Sequence, residues 1–108
     1  MFPNKVSLSE ASQRLQQSAQ EFLVLFQNNA LDLELYKPQL VDKQTPHDRD
    51  EVYIIASGTA TFELEGQCTE VQTGDFLFVP AFAPHKFIRF SEDFSTWVLF
   101  FLPRFKKK

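Results

Sequence analysis

Residues 7–20, SLSEASQRLQQSAQ, place Leu8, Ala11, Leu15 and Ala19 at spacings of three and four, the repeat of one helical face. Ser, Gln and Arg fill the other face. Ser7 followed three residues on by Glu10 fits a capping box. The pattern predicts a surface helix packed on the domain through its apolar stripe. From residue 21 the period changes to two. EFLVLFQ sets Phe22, Val24 and Phe26 on one side of a strand. NNA reads as a turn with Asn residues suited to positive φ. LDLELY alternates, with Leu31, Leu33 and Leu35 on one side and Asp32, Glu34 and Tyr36 on the other. EVYIIAS is nearly all apolar and rich in β-branched residues. TATFELEG and QCTEVQTG flank Gly66 and read as a hairpin. DFLFVP is ended by Pro80, HKFIRF follows Pro84, and STWVLFFL is stopped by Pro103.

About eight short strands follow, joined by Gly, Pro and Asn turns with no helix between them. That is the pattern of an all-β sandwich or barrel, and closure would protect apolar strand edges. Gly58, Gly66 and Gly74, spaced by eight, fall at turns that tolerate positive φ. The expected organisation is an N-terminal segment with a short helix (1–22), a barrel (23–103) and a basic tail (104–108) that is solvated. The last strand, TWVLFFL, is apolar on both faces and needs cover on both. Two sheets cover one face each, so this excess, with outward Val52 and Ile54, predicts a homodimer.

Composition adds limits. At 108 residues the chain makes one domain with a real core. Thirteen Phe make that core ring-rich. A formal charge of -3 gives no electrostatic reason to bind nucleic acid. The single Cys68 leaves no internal disulfide and reads as structural. No apolar run approaches a membrane span, and Phe2-Pro3-Asn4 does not start a signal peptide. A cytoplasmic protein with no membrane partner is expected.

The polar entrance to the third strand, QTPHDRDE, carries the candidate chemistry. On extended chain His47, Glu51 and Tyr53 share a face, as do Arg49 and Ile55. Asp48 and Asp50 have the opposite parity; Asp50 becomes the carboxylate only if a bulge shifts the register. His85 also starts a strand, just after a proline turn. If that strand lies beside the one bearing Glu51, two imidazoles and one carboxylate converge. Such a set suits iron, zinc or manganese and leaves open positions. A hydrogen-bonded structural histidine is the alternative use of either His.

The spacing His47, three residues, Glu51, six residues, Gly58 resembles the later part of the first cupin motif. GDFLFVPAFAPH, Gly74 to His85, resembles the second. With the intervening hairpin, the likeness covers roughly residues 31 to 102 and is similar to small single-domain bacterial cupins. It implies a small antiparallel, jelly-roll-like β-barrel with ligands at its mouth. It further implies that His47, Glu51 and His85 hold a divalent metal ion (iron, zinc, manganese or nickel). Two positions depart from the pattern. Thr45 stands where the family's first His would be, leaving three protein ligands, and Arg89 stands where Asn commonly closes the second motif.

Around that site Tyr53 is a candidate proton donor or orienting hydroxyl, or a barrel-wall aromatic. Arg89 shares parity with His85 and Phe87 and would receive an anionic substrate if it points inward. Phe82, Phe87, Trp97 and Phe101 could line an apolar pocket, with Phe82 and Phe87 as the substrate-pocket candidates; core packing is the alternative role for most of them, and Phe82 is placed to cap the mouth. The leading function is a small-molecule metalloenzyme of oxygenase or isomerase type. A non-catalytic small-ligand barrel, with or without metal, is the second reading. The single helix gives no DNA-binding helix-turn-helix, and the fold does not choose the reaction.

Overall fold

The structure is a computed structural model that describes residues 4–106. The elements run α1 (Leu8–Ser18), β1 (Phe22–Gln27), β2 (Leu31–Tyr36), β3 (Glu51–Ser57), β4 (Thr59–Leu64), β5 (Gln67–Gln72), β6 (Phe76–Val79), β7 (His85–Phe90) and β8 (Ser95–Phe101). Five strands form one sheet in the order β1-β2-β8-β3-β6, and three form another in the order β5-β4-β7. All pairings are antiparallel. The eight expected strands are present, with bounds close to those read from the period. No described helix is long and apolar enough to cross a membrane.

Local chemistry sets the connections. Ser7 caps α1, its hydroxyl accepting from the Glu10 N–H at 3.2 Å. The helix stops at Ala19, which adopts a left-handed conformation. Glu65 and Gly66, both at positive φ, close the β4–β5 hairpin, as a two-residue primed turn demands. The NNA turn works differently from expectation: Asn28 Oδ1 accepts the backbone N–H groups of Ala30 and Leu31 at 2.8 and 2.9 Å. Its side chain closes the turn, and neither Asn takes positive φ. Gly58 is required twice over. Its φ is +76°, and a Cβ there would lie 2.5 Å from Ser91 Oγ and 2.7 Å from Phe94 Cα.

The barrel interior holds Tyr53, Ile55, Phe62, Val79, Phe87, Phe94, Val98 and Phe100. Aromatic pairs such as Tyr53–Phe87 and Phe87–Phe94 pack at 5.0 and 4.8 Å between centroids, within the range where ring pairs attract. A second cluster lies on the outer face of the five-stranded sheet. There Ala11 and Leu15 of α1 bury Leu35, with Leu23, Leu25, Ala56 and Trp97 around them.

That placement corrects part of the reading of the last strand. Trp97 is covered by the chain's own helix, so its outward face alone does not call for a second subunit. Exposed apolar side chains remain at both edges of the five-stranded sheet: Ile54, Phe76 and Phe78 toward β6, at 37%, 63% and 49% exposure, and Phe22, Val24 and Phe26 on β1, at 52%, 36% and 38%. β2 obeys the same geometry. Leu35 packs against the helix, and Glu34 and Tyr36, of the opposite parity, turn toward the barrel and its cavity. The basic tail is pinned at its start, where the Phe105 N–H donates to the Asp48 carbonyl at 2.7 Å and Arg104 pairs with the Asp48 carboxylate at 2.8 Å. Lys107 and Lys108 lie outside the described residues.

Candidate metal centre and adjoining cavity

His47, Glu51 and His85 meet inside the barrel, although not along neighbouring strands. β7, which starts at His85, pairs with β4 in the three-stranded sheet. β3, which starts at Glu51, sits between β6 and β8 in the other. His85 therefore faces Glu51 across the interior, and the expected side-by-side strands are replaced by opposed sheets. His47 arrives from the bent segment just before β3.

One ligating atom from each of the three residues can be chosen so that all lie within 4.8 Å of one another. Glu51 Oε1 is 3.0 Å from His85 Nε2 and 3.9 Å from His47 Nε2. Glu51 and His85 are buried, at 1% and 6% exposure. Yet both Glu51 oxygens and both Nε2 atoms are enclosed without an aligned hydrogen-bond partner among the described residues. Four such atoms around one point are costly unless something satisfies them. A cation would satisfy all four.

The surroundings prepare His85 for that role. Its Nδ1 lies 2.8 Å from the Ala83 carbonyl. A carbonyl can only accept, so Nδ1 carries the hydrogen and Nε2 is the free nitrogen of the neutral ring, the usual arrangement behind a metal-bound histidine. Electrostatics separate the two imidazoles. Burial pulls the His47 pKa down, and the Glu51 charge only partly opposes it. Burial also acts downward on His85, but the Glu51 carboxylate and the Ala83 carbonyl outweigh it, and the net direction is up.

Thr45 lies beside His47 on the wall of a cavity of about 500 Å³, a size that takes a small organic molecule. One wall is the inner face of the five-stranded sheet, with Glu34, Tyr36, Val98 and Phe100. The other is the loop carrying Lys43, Gln44, Thr45, His47 and Arg49. The loop is fastened by one carboxylate. Asp42 accepts from the Tyr36 hydroxyl at 2.7 Å, from the Gln44 side chain at 3.0 Å and from the Phe87 N–H at 2.8 Å.

The other sequence-derived residues are placed as follows. Tyr53 is fully buried and its hydroxyl donates to Gln44 Oε1 at 2.9 Å. It supports the loop from beneath and is not part of the cavity lining. Its pKa is driven well up, first by burial and then by the Glu51 charge. Phe87 is buried in the core. Phe82, at φ +69°, donates its N–H to the His47 carbonyl at 2.7 Å and braces the loop.

Arg89 is exposed. The β4–β7 register shifts so that Thr61 pairs with Arg89 and Phe62 with Phe87, leaving Ile88 extra. That bulge inverts the parity, turning Phe90 inward and Arg89 out. Asp48 and Asp50 serve structure, Asp50 accepting the Ala81 N–H at 2.9 Å.

Two cavity residues were not singled out from sequence. Arg49 pairs with Asp32 at 2.7 Å, and its guanidinium lies 4.7 Å from the Phe100 ring centroid. Glu34, half-buried, has its pKa raised to about 7 by burial and then by the Glu51 charge. The polar side of LDLELY held the signal for Glu34, but nothing local says which side of that strand faces the interior.

Comparison with known proteins agrees with this architecture. The family model for the Cupin domain matches residues 32–100. An uncharacterized protein of Streptomyces coelicolor is 42% identical over 62 residues. That match covers 57% of this chain and 59% of the relative, so the chain spans less than two thirds of the relative's length. Among solved structures, KdgF from a Halomonas species superposes with a TM-score of 0.67 at 21% identity, over 77% of this chain and 78% of that one. The DMSP lyase DddQ from Ruegeria pomeroyi gives a TM-score of 0.61 at 26% identity, over 69% of this chain and 40% of that one.

Proposed function

The chain belongs to the Cupin domain family, and from that premise we propose that it is a metal-binding cupin acting on a small molecule held in the cavity beside His47. One observation carries this reading: four buried polar atoms on His47, Glu51 and His85 surround a common point with no aligned partner of their own. The residues fit a divalent ion. Two neutral imidazoles and a carboxylate suit zinc, iron, manganese or nickel, and three protein ligands leave positions for substrate. Bound there, the ion would act as a Lewis acid toward a substrate oxygen. Thr45, in place of a fourth ligand, keeps the cavity side of the site open. Arg49 and Glu34 contact what enters, and the Asp42-anchored loop holds His47 in position.

Isomerase, lyase and oxygenase chemistry are all compatible with this set. The 26%-identical neighbour is named as a lyase, which favours a reaction without net oxidation. The non-catalytic binding barrel is the second reading, supported by the same Thr45, since three ligands hold an ion less firmly than four. We take the exposed strip of Ile54, Phe76 and Phe78 as the contact with a second copy of the chain.

Elemental analysis of protein prepared without chelator, beside a His85→Ala control, tests the site. The expected result is about one metal per chain, lost in the variant. Equal metal content in the two samples, or none in either after reconstitution with each candidate ion, sinks it.

A further inference from the structure

Glu34 and Arg49 belong to different elements, yet both line the cavity. Arg49 gives Nη1 to Asp32 and not to Glu34. Its Nε is buried without a partner among the described residues, and its plane is held against Phe100. A guanidinium fixed in this way, with Nη2 making no hydrogen bond to the described residues and not enclosed, is suited to an incoming carboxylate. Glu34 projects from β2 opposite Val98, which is opposite Tyr53. That places it two strands, about 10 Å of backbone, from the strand of Glu51.

We propose that the cavity recognises a small hydroxylated organic acid, Arg49 taking its carboxylate and Glu34 its hydroxyl. This rests on the reading of the barrel mouth as a small-molecule site and adds the substrate class. Glu34 is suited to a hydroxyl rather than an ammonium group. Burial first, and the neighbouring Glu51 charge second, raise its pKa to about 7, so that near neutral pH about half of the molecules keep the proton. A protonated carboxyl both donates to and accepts from a hydroxyl.

Three probes with one carbon skeleton separate the possibilities: malate, succinate, which lacks the hydroxyl, and aspartate, which replaces it with an amine. Binding is measured by calorimetry on the whole protein, with metal content determined on the same samples. The expected result is malate binding at least about tenfold tighter than succinate or aspartate. In Glu34→Leu malate should fall to the level of succinate, and Arg49→Lys should weaken both diacids. On the wild-type protein, malate should shift the backbone amide resonances of Glu34, Arg49 and Phe100, a readout that needs no variant to fold.

Equal affinity for malate and succinate, preference for aspartate, or no binding of any probe overturns the inference. So does a hydroxyl preference that survives in Glu34→Leu, since chelation by malate would then explain it. The metal reading stands or falls separately. A metal-loaded protein with no hydroxyl preference defeats this inference alone, and a metal-free protein that keeps the preference defeats only the metal site.

Discussion

His85 Nε2 lies 3.0 Å from Glu51 Oε1, reaching it from the opposite sheet. With Nδ1 committed to the Ala83 carbonyl, the neutral ring presents a lone pair to a buried carboxylate. A proton on Nε2 or a metal cation relieves that contact, and the two compete.

The competition sets a pH dependence. The His85 pKa is raised in the folded, metal-free protein, so an ion must displace a proton that is held to higher pH than usual. Metal affinity should weaken as pH falls through the histidine range, by roughly tenfold per unit for one displaced proton. Zinc or manganese titrations between pH 5.5 and 8 measure this, and a flat profile contradicts it. In the metal-free protein the stability from the raised His85 pKa is full below the usual value of 6.5 and lost as pH rises through the folded one. His47, shifted downward, acts with the opposite sign, its contribution being lost as pH falls.

Glu51→Gln should separate fold from function. At a pH where His85 is neutral, a buried carboxylate with both oxygens unpartnered destabilises the metal-free fold. Neutralising it should raise stability without metal by about 1 to 2 kcal/mol while abolishing metal-dependent stabilisation. Denaturant melts with and without added ion read both effects. A variant less stable than wild type in chelator shows that Glu51 is internally satisfied.

Glu34 makes a second pH signature. Its pKa of about 7 against an ordinary 4.5 means the folded state binds a proton that the unfolded chain releases. The resulting stability is full below about pH 4.5 and lost as pH rises through about 7. Glu34→Gln should therefore match wild type near pH 4.5 and exceed it at pH 8, by about 1 to 2 kcal/mol after allowance for its partial exposure. Parallel melts at the two pH values give the comparison, and an equal difference at both defeats it.

Gly58→Ala should cost about 3 kcal/mol, combining an unfavourable positive φ with contacts that Ser91 and Phe94 cannot fully relieve. Thermal or urea unfolding measures it. A loss below about 1 kcal/mol means the β3–β4 corner rearranges freely.

Phe76 and Phe78, exposed at 63% and 49%, should lie in a dimer contact. Phe78→Lys is expected to convert a dimer into a monomer in light scattering behind size exclusion, with little change in melting of the monomer. A wild-type protein that is already monomeric at high micromolar concentration removes this assignment.

Much of the fold was legible in the sequence because β structure repeats every two residues and its turns need particular chemistry. LDLELY, EVYIIAS and the Gly66 hairpin were read with close to their observed limits for that reason. Parity failed at Arg89, where one extra residue in β7 turns the side chain outward. A bulge is set by the partner strand, and β7 alone does not announce it. Parity alone also did not say that Leu35 of β2 faces α1, which is why Glu34 went unnoticed. The pairing of opposed sheets that joins His85 to Glu51 was likewise absent from any local pattern.

The order of polar and apolar residues by itself determined the helix and the eight strands, since each is a matter of spacing along one segment, and the resemblance to the two cupin motifs nominated His47, Glu51 and His85 as ligands. Only the packed barrel decided that those side chains share one point and that Arg49 and Glu34, not Arg89, face the cavity. Those facts depend on which sheet covers which face, and that is fixed by burying Leu35 of β2 under α1 and Phe87 and Phe90 of β7 in the interior.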